Sequence, residues 1–271
     1  MASELWRYVP LEARTGAFHM AADDYFASIP DLQNPVFRLY TWNPFAISLG
    51  YHQSADSIHF ELCDKDDIDI VRRPTGGRAI LHAEEITYSL ILPINHPYAQ
   101  GGVHTVHNKI SEAILLGFKE LGIHLELNKK KVNLSQHYRQ NPESVACFSS
   151  TTEHELQYEG KKVVGSAQKR YSKNILQHGS ILLGDKHKNL DRYLNYSGNK
   201  LTRFRKIMEK KTGELPVSGK TTEQIVTALI NGFSKYFQTE FQRTGLQKSE
   251  TSDIHLNSAK FRVKKNVIDS A

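Results

Sequence analysis

The sequence predicts an α+β fold, a mixed, largely antiparallel sheet flanked by helices. Three observations carry that reading. Apolar strand-like segments come in hairpin-like groups between isolated helices, which is the α+β pattern rather than an alternating α/β one. No strand–GxGxxG–helix unit and no P-loop occur, so a doubly wound nucleotide-binding fold is disfavoured. The chain has 271 residues, 39% apolar and 24% charged, with no internal repeat, which suits one large domain or one domain with a small appendage.

The elements follow in order. Gly16 to Ala27 reads as a helix with Phe18, Ala21, Ala22, Tyr25 and Phe26 on one side. Val36 to Tyr40 is rich in strand formers, Asn43-Pro44 turns the chain, and Ala46 to Leu49 is a second strand ending at Gly50. Phe60 to Asp64 reads as helical, Ile68 to Arg72 as a third strand, and Ile86 to Leu92 as a further strand closed by Pro93. Val103 to Leu121 is the clearest helix: Val106, Ile110, Ala113, Ile114, Gly117, Phe118 and Leu121 recur at three- and four-residue steps. Ile123 to Leu127 reads as a strand, and residues 128–145 as a polar loop in which Lys129-Lys130-Lys131 is a solvated run. Glu153 to Tyr158 and Lys161 to Ala167 read as a hairpin turning at Glu159-Gly160, and Asn174 to Leu183 continues the sheet. Leu190 to Leu194 and Thr222 to Phe237 are helical; Thr239 onward is polar.

Composition bounds the function. The formal net charge is +6, but the basic residues are spread along the chain, with no zinc-finger spacing and no aromatic RNA-binding pattern. Acidic protein partners are therefore expected, not nucleic acid. No run of about 18 apolar residues suggests a membrane span, and the first residues lack a secretory pattern. The two cysteines, Cys63 and Cys147, give no disulfide framework, so a reduced, cytoplasmic protein is expected.

Four segments carry the chemistry. In Val71-Arg72-Arg73-Pro74-Thr75-Gly76-Gly77-Arg78-Ala79-Ile80-Leu81-His82, paired glycines permit close backbone approach to a ligand. The arginines there offer planar donors for a carboxylate or phosphate. The same residues also fit a hairpin with a Gly-Gly turn and surface arginines. The second segment runs Gly160-Lys161-Lys162-Val163-Val164-Gly165-Ser166-Ala167. Strand alternation puts Lys162 and Val164 on one face and Lys161 and Val163 on the other, so one lysine points inward. Small residues at Gly165, Ser166 and Ala167 leave room for a ligand chain, although a charged hairpin turn reads equally well. The third segment is Gln177-His178-Gly179-Ser180, whose histidine also fits a hydrogen-bonded core position. The fourth is Cys147, a candidate nucleophile beside a loop because a nearby cation lowers a thiol pKa. Cys63, in an apolar helical context, reads as structural.

Taken together in this order, these motifs resemble the lipoate/biotin ligase and octanoyltransferase superfamily, and within it the cysteine-dependent octanoyltransferases. The resemblance spans about residues 4–240, including Trp6-Arg7, Trp42-Asn43-Pro44 and Gly50-Tyr51. It implies a catalytic acyltransferase domain over residues 1–245 and a basic C-terminal tail of uncertain order over 246–271. It also implies a reaction. Octanoyl passes from acyl carrier protein to Cys147 as a thioester, then to a lysine of a lipoyl domain such as the glycine cleavage H protein, with no cofactor and no metal. On this resemblance Cys147 is the nucleophile and Lys162 its partner. Arg73, Gly76, Gly77 and His82 form the acyl-binding loop, and Gly165, Ser166, Ala167, His178 and Gly179 complete the substrate site. Ala83-Glu84-Glu85 follows His82 where an aspartate is expected. Three other activities fit less well. An amidotransferase moving octanoyl between lipoyl domains shares the cysteine but takes an amide donor. An ATP-dependent lipoate ligase needs no such cysteine and carries a third glycine where this chain has Arg78. A non-catalytic acyl-binding module has no use for Cys147 with Lys162.

Overall fold

In the computed structural model, residues 4–128 and 155–265 are described. Alternation along the central strands builds the layers. In β2 (Val36–Trp42), Phe37 and Leu39 enter one core, while Val36, Tyr40 and Trp42 enter those on the opposite face. β6 (Glu85–Pro93) does the same: Ile86, Tyr88, Leu90 and Leu92 face one way and Ile91 the other. These two strands sit in a six-stranded sheet with β1 (Glu4–Arg14), β10 (Val164–Arg170), β11 (Asn174–Leu182) and β12 (Thr239–Arg243), in the order β10-β11-β6-β2-β1-β12. The β10–β11, β11–β6 and β6–β2 ladders are antiparallel, and β1 runs parallel to both β2 and β12. The sheet is thus mixed and largely antiparallel, as expected.

Helices cover both faces. α3 (Val103–Glu120) and α5 (Thr222–Phe237) lay Val106, Ile110, Ile114 and Phe118, with Ile225, Leu229 and Phe233, against Phe37, Tyr88 and Leu90. Each fully buried large apolar side chain contributes about 1.5–3 kcal/mol. α5 starts at a capping box in which Thr221 and Gln224 satisfy each other's backbone N–H groups. The other face takes α1 (Gly16–Ser28), whose cap Thr15 accepts from the Phe18 N–H.

Two small sheets flank this body. β3 (Ala46–Leu49) lies between β4 (Asp69–Arg72), parallel, and β5 (Ile80–His82), antiparallel. Its outer side packs against α2 (Phe60–Lys65), a 3₁₀ turn at Lys186–Tyr193 and α4 (Gly198–Lys211). The other sheet joins β7 (Glu126–Leu127), β8 (Leu156–Tyr158) and β9 (Lys161–Lys162), with β8 and β9 forming the expected hairpin.

Four elements differ from expectation. β1 was not anticipated because Pro10 and a register shift between Val9 and Glu12 break its alternation. β12, read only as polar chain, pairs with β1 through Thr239 to Arg243. α4 was not anticipated because it buries only Phe204 and Met208 and is otherwise polar. Past residue 246 the chain forms α6 (Lys248–Ser258), where Ile254 is fully buried and Glu250 pairs with Arg7 at 2.6 Å. The Val263 N–H then bonds the Ile70 carbonyl, so the segment read as a tail of uncertain order is docked as far as the described residues go.

Candidate active site

The site grows from register. On the α1 side of the large sheet, Arg38, Ser89, His178 and Ala167 stand in one cross-strand row, and Tyr40, Thr87, Ser180 and Gly165 in the next. Polar residues at alternate positions of three buried strands thus converge beneath α1, which adds Met20 and Asp23. The small β3 sheet contributes Ser48, Ile80 and His82. Between them lies a narrow, partly open cavity of about 20 Å³.

His82 is the hub of one wall. Its ring stacks on Trp42 with centroids 3.9 Å apart. Nδ1 lies 2.8 Å from Glu85 Oε1 and Nε2 lies 2.7 Å from Ser48 Oγ. Arg73 Nη1 donates to that same Ser48 oxygen at 3.0 Å, so the Ser48 hydroxyl proton is directed to His82 Nε2. The ring is then the neutral tautomer with Nδ1–H donating to Glu85. Burial agrees with that state: it depresses the His82 pKa, and the Glu85 carboxylate only partly offsets it. Glu85, three residues on, is the carboxylate expected directly after the histidine. It also accepts from Thr87 Oγ1 at 2.6 Å, and Thr87 accepts from Trp42 Nε1 at 2.8 Å.

His178 anchors the second wall. Its Nδ1 lies 2.8 Å from Asp23 Oδ2 and its Nε2 2.7 Å from Thr75 Oγ1. Asp23 also pairs with Arg38 and accepts from the Tyr40 hydroxyl at 3.0 Å. Burial alone would raise the Asp23 pKa, but the Arg38 guanidinium and His178 outweigh it and hold the carboxyl below its usual range. Cys63 is buried in the outer core and its thiol is pushed up to about 12 by burial, which suits a structural residue.

Residues 73–79 do not form a hairpin. β4 and β5 lie on opposite sides of β3, so the loop crosses over the end of β3. Arg73 is buried and directs its five N–H groups inward. Nε and Nη2 reach Gly76 O, Nη2 also reaches Arg78 O, and Nη1 reaches Ser48 O and Oγ, all at 2.8–3.1 Å. Arg73 thus lines the cavity and, through these bonds, also holds the loop together. Of the glycine pair, Gly77 adopts φ +102°, the left-handed region that favours glycine. A Cβ on Gly50 would stand 2.0 Å from the Gly77 carbonyl oxygen. Gly50→Ala is accordingly expected to displace the loop and cost about 1–3 kcal/mol. Thermal unfolding checks this, and an unchanged midpoint would mean the loop is not clamped there.

Lys162 is the inward lysine, 3% exposed, while Lys161 is half-buried. Lys162 Nζ lies 2.6 Å from Glu155 Oε1, and both side chains are buried. The predicted alternation stops here, because Val163 and Val164 are both buried. At Val163 the chain leaves the small sheet for the large one: its N–H bonds Leu156 and its carbonyl accepts from Leu182. Cys147, the Lys129-Lys130-Lys131 run and all but the first residue of the polar loop lie outside the described residues. The two ends of that stretch meet, since the Asn128 N–H donates to the Glu155 carbonyl.

Seven of the nine expected substrate-site residues line the cavity: Arg73, His82, Gly165, Ser166, Ala167, His178 and Gly179. Gly179 is there because no side chain fits; its Cβ would meet the Gly165 carbonyl oxygen at 2.6 Å. Gly76 and Gly77 shape the loop above, and Lys162 belongs to the neighbouring pair with Glu155. Sequence reasoning missed Asp23, Tyr40, Ser48, Thr87 and Glu155. The first four are polar or aromatic residues on the buried faces of α1, β2, β3 and β6, and a polar residue at a position whose neighbours are apolar was the available signal.

A family model described as the lipoyl protein ligase A/B catalytic domain matches residues 15–234. The chain belongs to that family. It is 36% identical over 263 residues to octanoyltransferase LipM of Bacillus subtilis, covering 94% of each chain. To octanoyltransferase LipM of Carboxydothermus hydrogenoformans it is 36% identical, covering 91% of this chain and 92% of the other. With this likeness over nearly their full length, the chain is an acyltransferase of the octanoyltransferase branch. The fold agrees. A lipoate-protein ligase A crystallised with ATP superposes with a TM-score of 0.74 at 18% identity, covering 96% of this chain and 95% of that one. A bipartite ligase from Thermoplasma acidophilum, described with its E2 lipoyl domain, gives 0.74 at 17% identity, covering 98% and 100%.

Proposed function

We propose a route for octanoyl transfer in lipoate assembly, the activity that the near-full-length likeness to the octanoyltransferases supports. The Cys147 thiolate attacks the carbonyl of an octanoyl thioester on acyl carrier protein. The carrier's thiolate leaves with a proton, and octanoyl remains on Cys147 as a thioester. The ε-amine of a lysine on a lipoyl domain, such as the glycine cleavage H protein, then attacks that carbonyl. The amide forms, the Cys147 thiolate is released, and the amine's proton is handed on. Lys162, held by Glu155, is the cation that favours the thiolate in the first step; it gives its proton to the leaving carrier thiolate, and as the neutral amine it takes the proton of the attacking lysine in the second. Peptide N–H groups of the glycine-rich segments stabilise the tetrahedral oxyanion.

The observation that carries this reading is the cavity itself, walled by the residues the motifs single out. Burying an octanoyl chain contributes about 0.8 kcal/mol per methylene, several kcal/mol in all. No metal or cofactor enters the route. The reaction takes place in the cytoplasm, a reading supported by the sparse cysteines. Among the described residues no helix is long and apolar enough to cross a membrane.

Intact-protein mass spectrometry tests the route. Mixed with octanoyl-acyl carrier protein and no ATP, the wild type is expected to gain one octanoyl group and discharge it onto H protein, and Cys147→Ala to gain none. Labelling of both proteins removes the covalent route. Labelling only from octanoylated H protein makes the chain an amidotransferase, and product only from free octanoate with ATP makes it a ligase.

A further inference from the structure

Helix α4 concentrates the basicity of the chain. Six of its 14 residues are Lys or Arg and one, Glu209, is acidic, a formal +5 against +6 for the whole protein. The helix buries Phe204 and Met208 in the outer core, with Leu201 packed beside them. Lys200, Arg203, Lys206 and Lys210 recur at three- and four-residue steps on the other side, and all four are exposed. They form a stripe about 15 Å long at the helical rise. Of the neighbouring acids, Glu209 faces Lys188 at 3.4 Å and Asp191 pairs with Arg205 at 2.5 Å, while Lys200 Nζ stands 4.1 Å from the Tyr196 ring centroid. Like charges at this spacing repel and destabilise a helix, so the helix's own stability does not account for the stripe.

Its position does. The C-terminal end of α4 runs into Thr212-Gly213, and the Gly213 N–H donates to the Lys162 carbonyl at 3.0 Å. The stripe therefore leads to the strand that carries Lys162, yet no residue of α4 lines the cavity. A partner seated on it has its body beside the cavity, not over it, and must reach in with an arm.

We infer that the exposed face of α4 is the docking surface for the acyl donor, an acidic carrier protein whose octanoyl thioester sits on a flexible phosphopantetheine arm. The inference rests on the octanoyl-transfer reading above. Charge complementarity selects an acidic surface, and the offset selects the arm. An acceptor lysine has only its own short side chain and must bring its domain to the cavity mouth. Such a surface acts mainly on association and on KM.

The test is steady-state transfer by the full-length protein. Lys206→Glu/Lys210→Glu is expected to raise KM for octanoyl-acyl carrier protein about 10-fold or more with kcat held within about twofold, and to flatten the salt dependence of kcat/KM. Transfer from octanoyl-pantetheine, which lacks the protein body, is expected to stay at the wild-type rate. The double alanine variant, which introduces no new charge, is expected to move KM in the same direction by less, and melting curves establish that both variants are folded. An unchanged KM for the carrier overturns the inference, as does a rise confined to the acceptor. If the wild type itself accepts no octanoyl from the carrier, the underlying reading fails, and that result is visible before any variant is made.

Discussion

Lys162→Ala is expected to slow octanoyl transfer by about 100-fold or more, while Lys161→Ala changes it little. The two lysines are adjacent in sequence and differ only in what their side chains meet. Lys162 is buried against Glu155 at 2.6 Å, whereas Lys161 is half in solvent. Removing Lys162 takes away the cation proposed to favour the thiolate and leaves a buried carboxylate without that counter-charge, an arrangement that costs several kcal/mol. Glu155→Gln is expected to lower kcat about 10-fold, with partial recovery in Glu155→Asp. If Glu155 acts through Lys162, the double variant Glu155→Gln/Lys162→Ala is no slower than Lys162→Ala alone. Additive losses, or equal losses at Lys161 and Lys162, would show that the pair is merely structural. Single-turnover kinetics of acyl-enzyme formation and of discharge separate the two steps.

Asp23→Ala is expected to destabilise the fold by about 3–5 kcal/mol, the largest loss of any single polar substitution near the cavity. Asp23 is fully buried and is the common partner of Arg38, Tyr40 and His178. Its removal strands the Arg38 guanidinium in the interior and frees the His178 ring that walls the cavity. Denaturant unfolding measures the loss, and Asp23→Asn serves if the alanine variant does not fold; a change below about 1 kcal/mol would contradict the network's role. The pH dependence has a definite sign. The Asp23 pKa is lowered in the fold, so its contribution is complete above the unfolded value of about 3.9 and is lost as pH falls through the lower folded value. Burial, with the Arg38 charge adding to it, pushes His19 down to about 3. Its neutral form in the fold costs nothing above about pH 6.5, the unfolded value, and weakens the fold as pH falls below that. Wild-type stability is therefore expected to decline from about pH 6.5 downward, and Asp23→Ala to flatten the part below about pH 4.

Legibility followed periodicity. α3 and α5 were plain because their apolar residues recur at helical spacing, and β2 and β6 because they are rich in strand formers. β1 was hidden by Pro10 and a register shift, and α4 by a surface whose charges outnumber its two core residues. Of the site, the Arg-Arg-Pro-Thr-Gly-Gly-Arg, Gly-Ser-Ala and His-Gly-Ser segments stood out as local motifs, and their residues meet at one cavity. Arg73 was legible as a site residue, although the bonds it makes to Gly76, Arg78 and Ser48 were not. Glu155 was not legible, an ordinary strand-edge glutamate until the hairpin turns Lys162 onto it.

The sequence by itself determined the α+β class, the order of the principal helices and strands, and the motifs that mark an acyl-transfer site. These depend on periodicity, turn chemistry and local composition, which are written along the chain. Only the tertiary structure decided which strands are neighbours, that the glycine loop crosses β3 instead of closing a hairpin, and that Asp23, His178 and Thr75 share one hydrogen-bonded chain. It alone decided which face of α4 meets solvent beside the Lys162 strand. Such facts join residues far apart in sequence, such as Asp23 and His178, 155 positions apart. They arise from burying apolar faces against one another while pairing most of the polar groups buried with them, a condition met by the chain as a whole and by no segment of it.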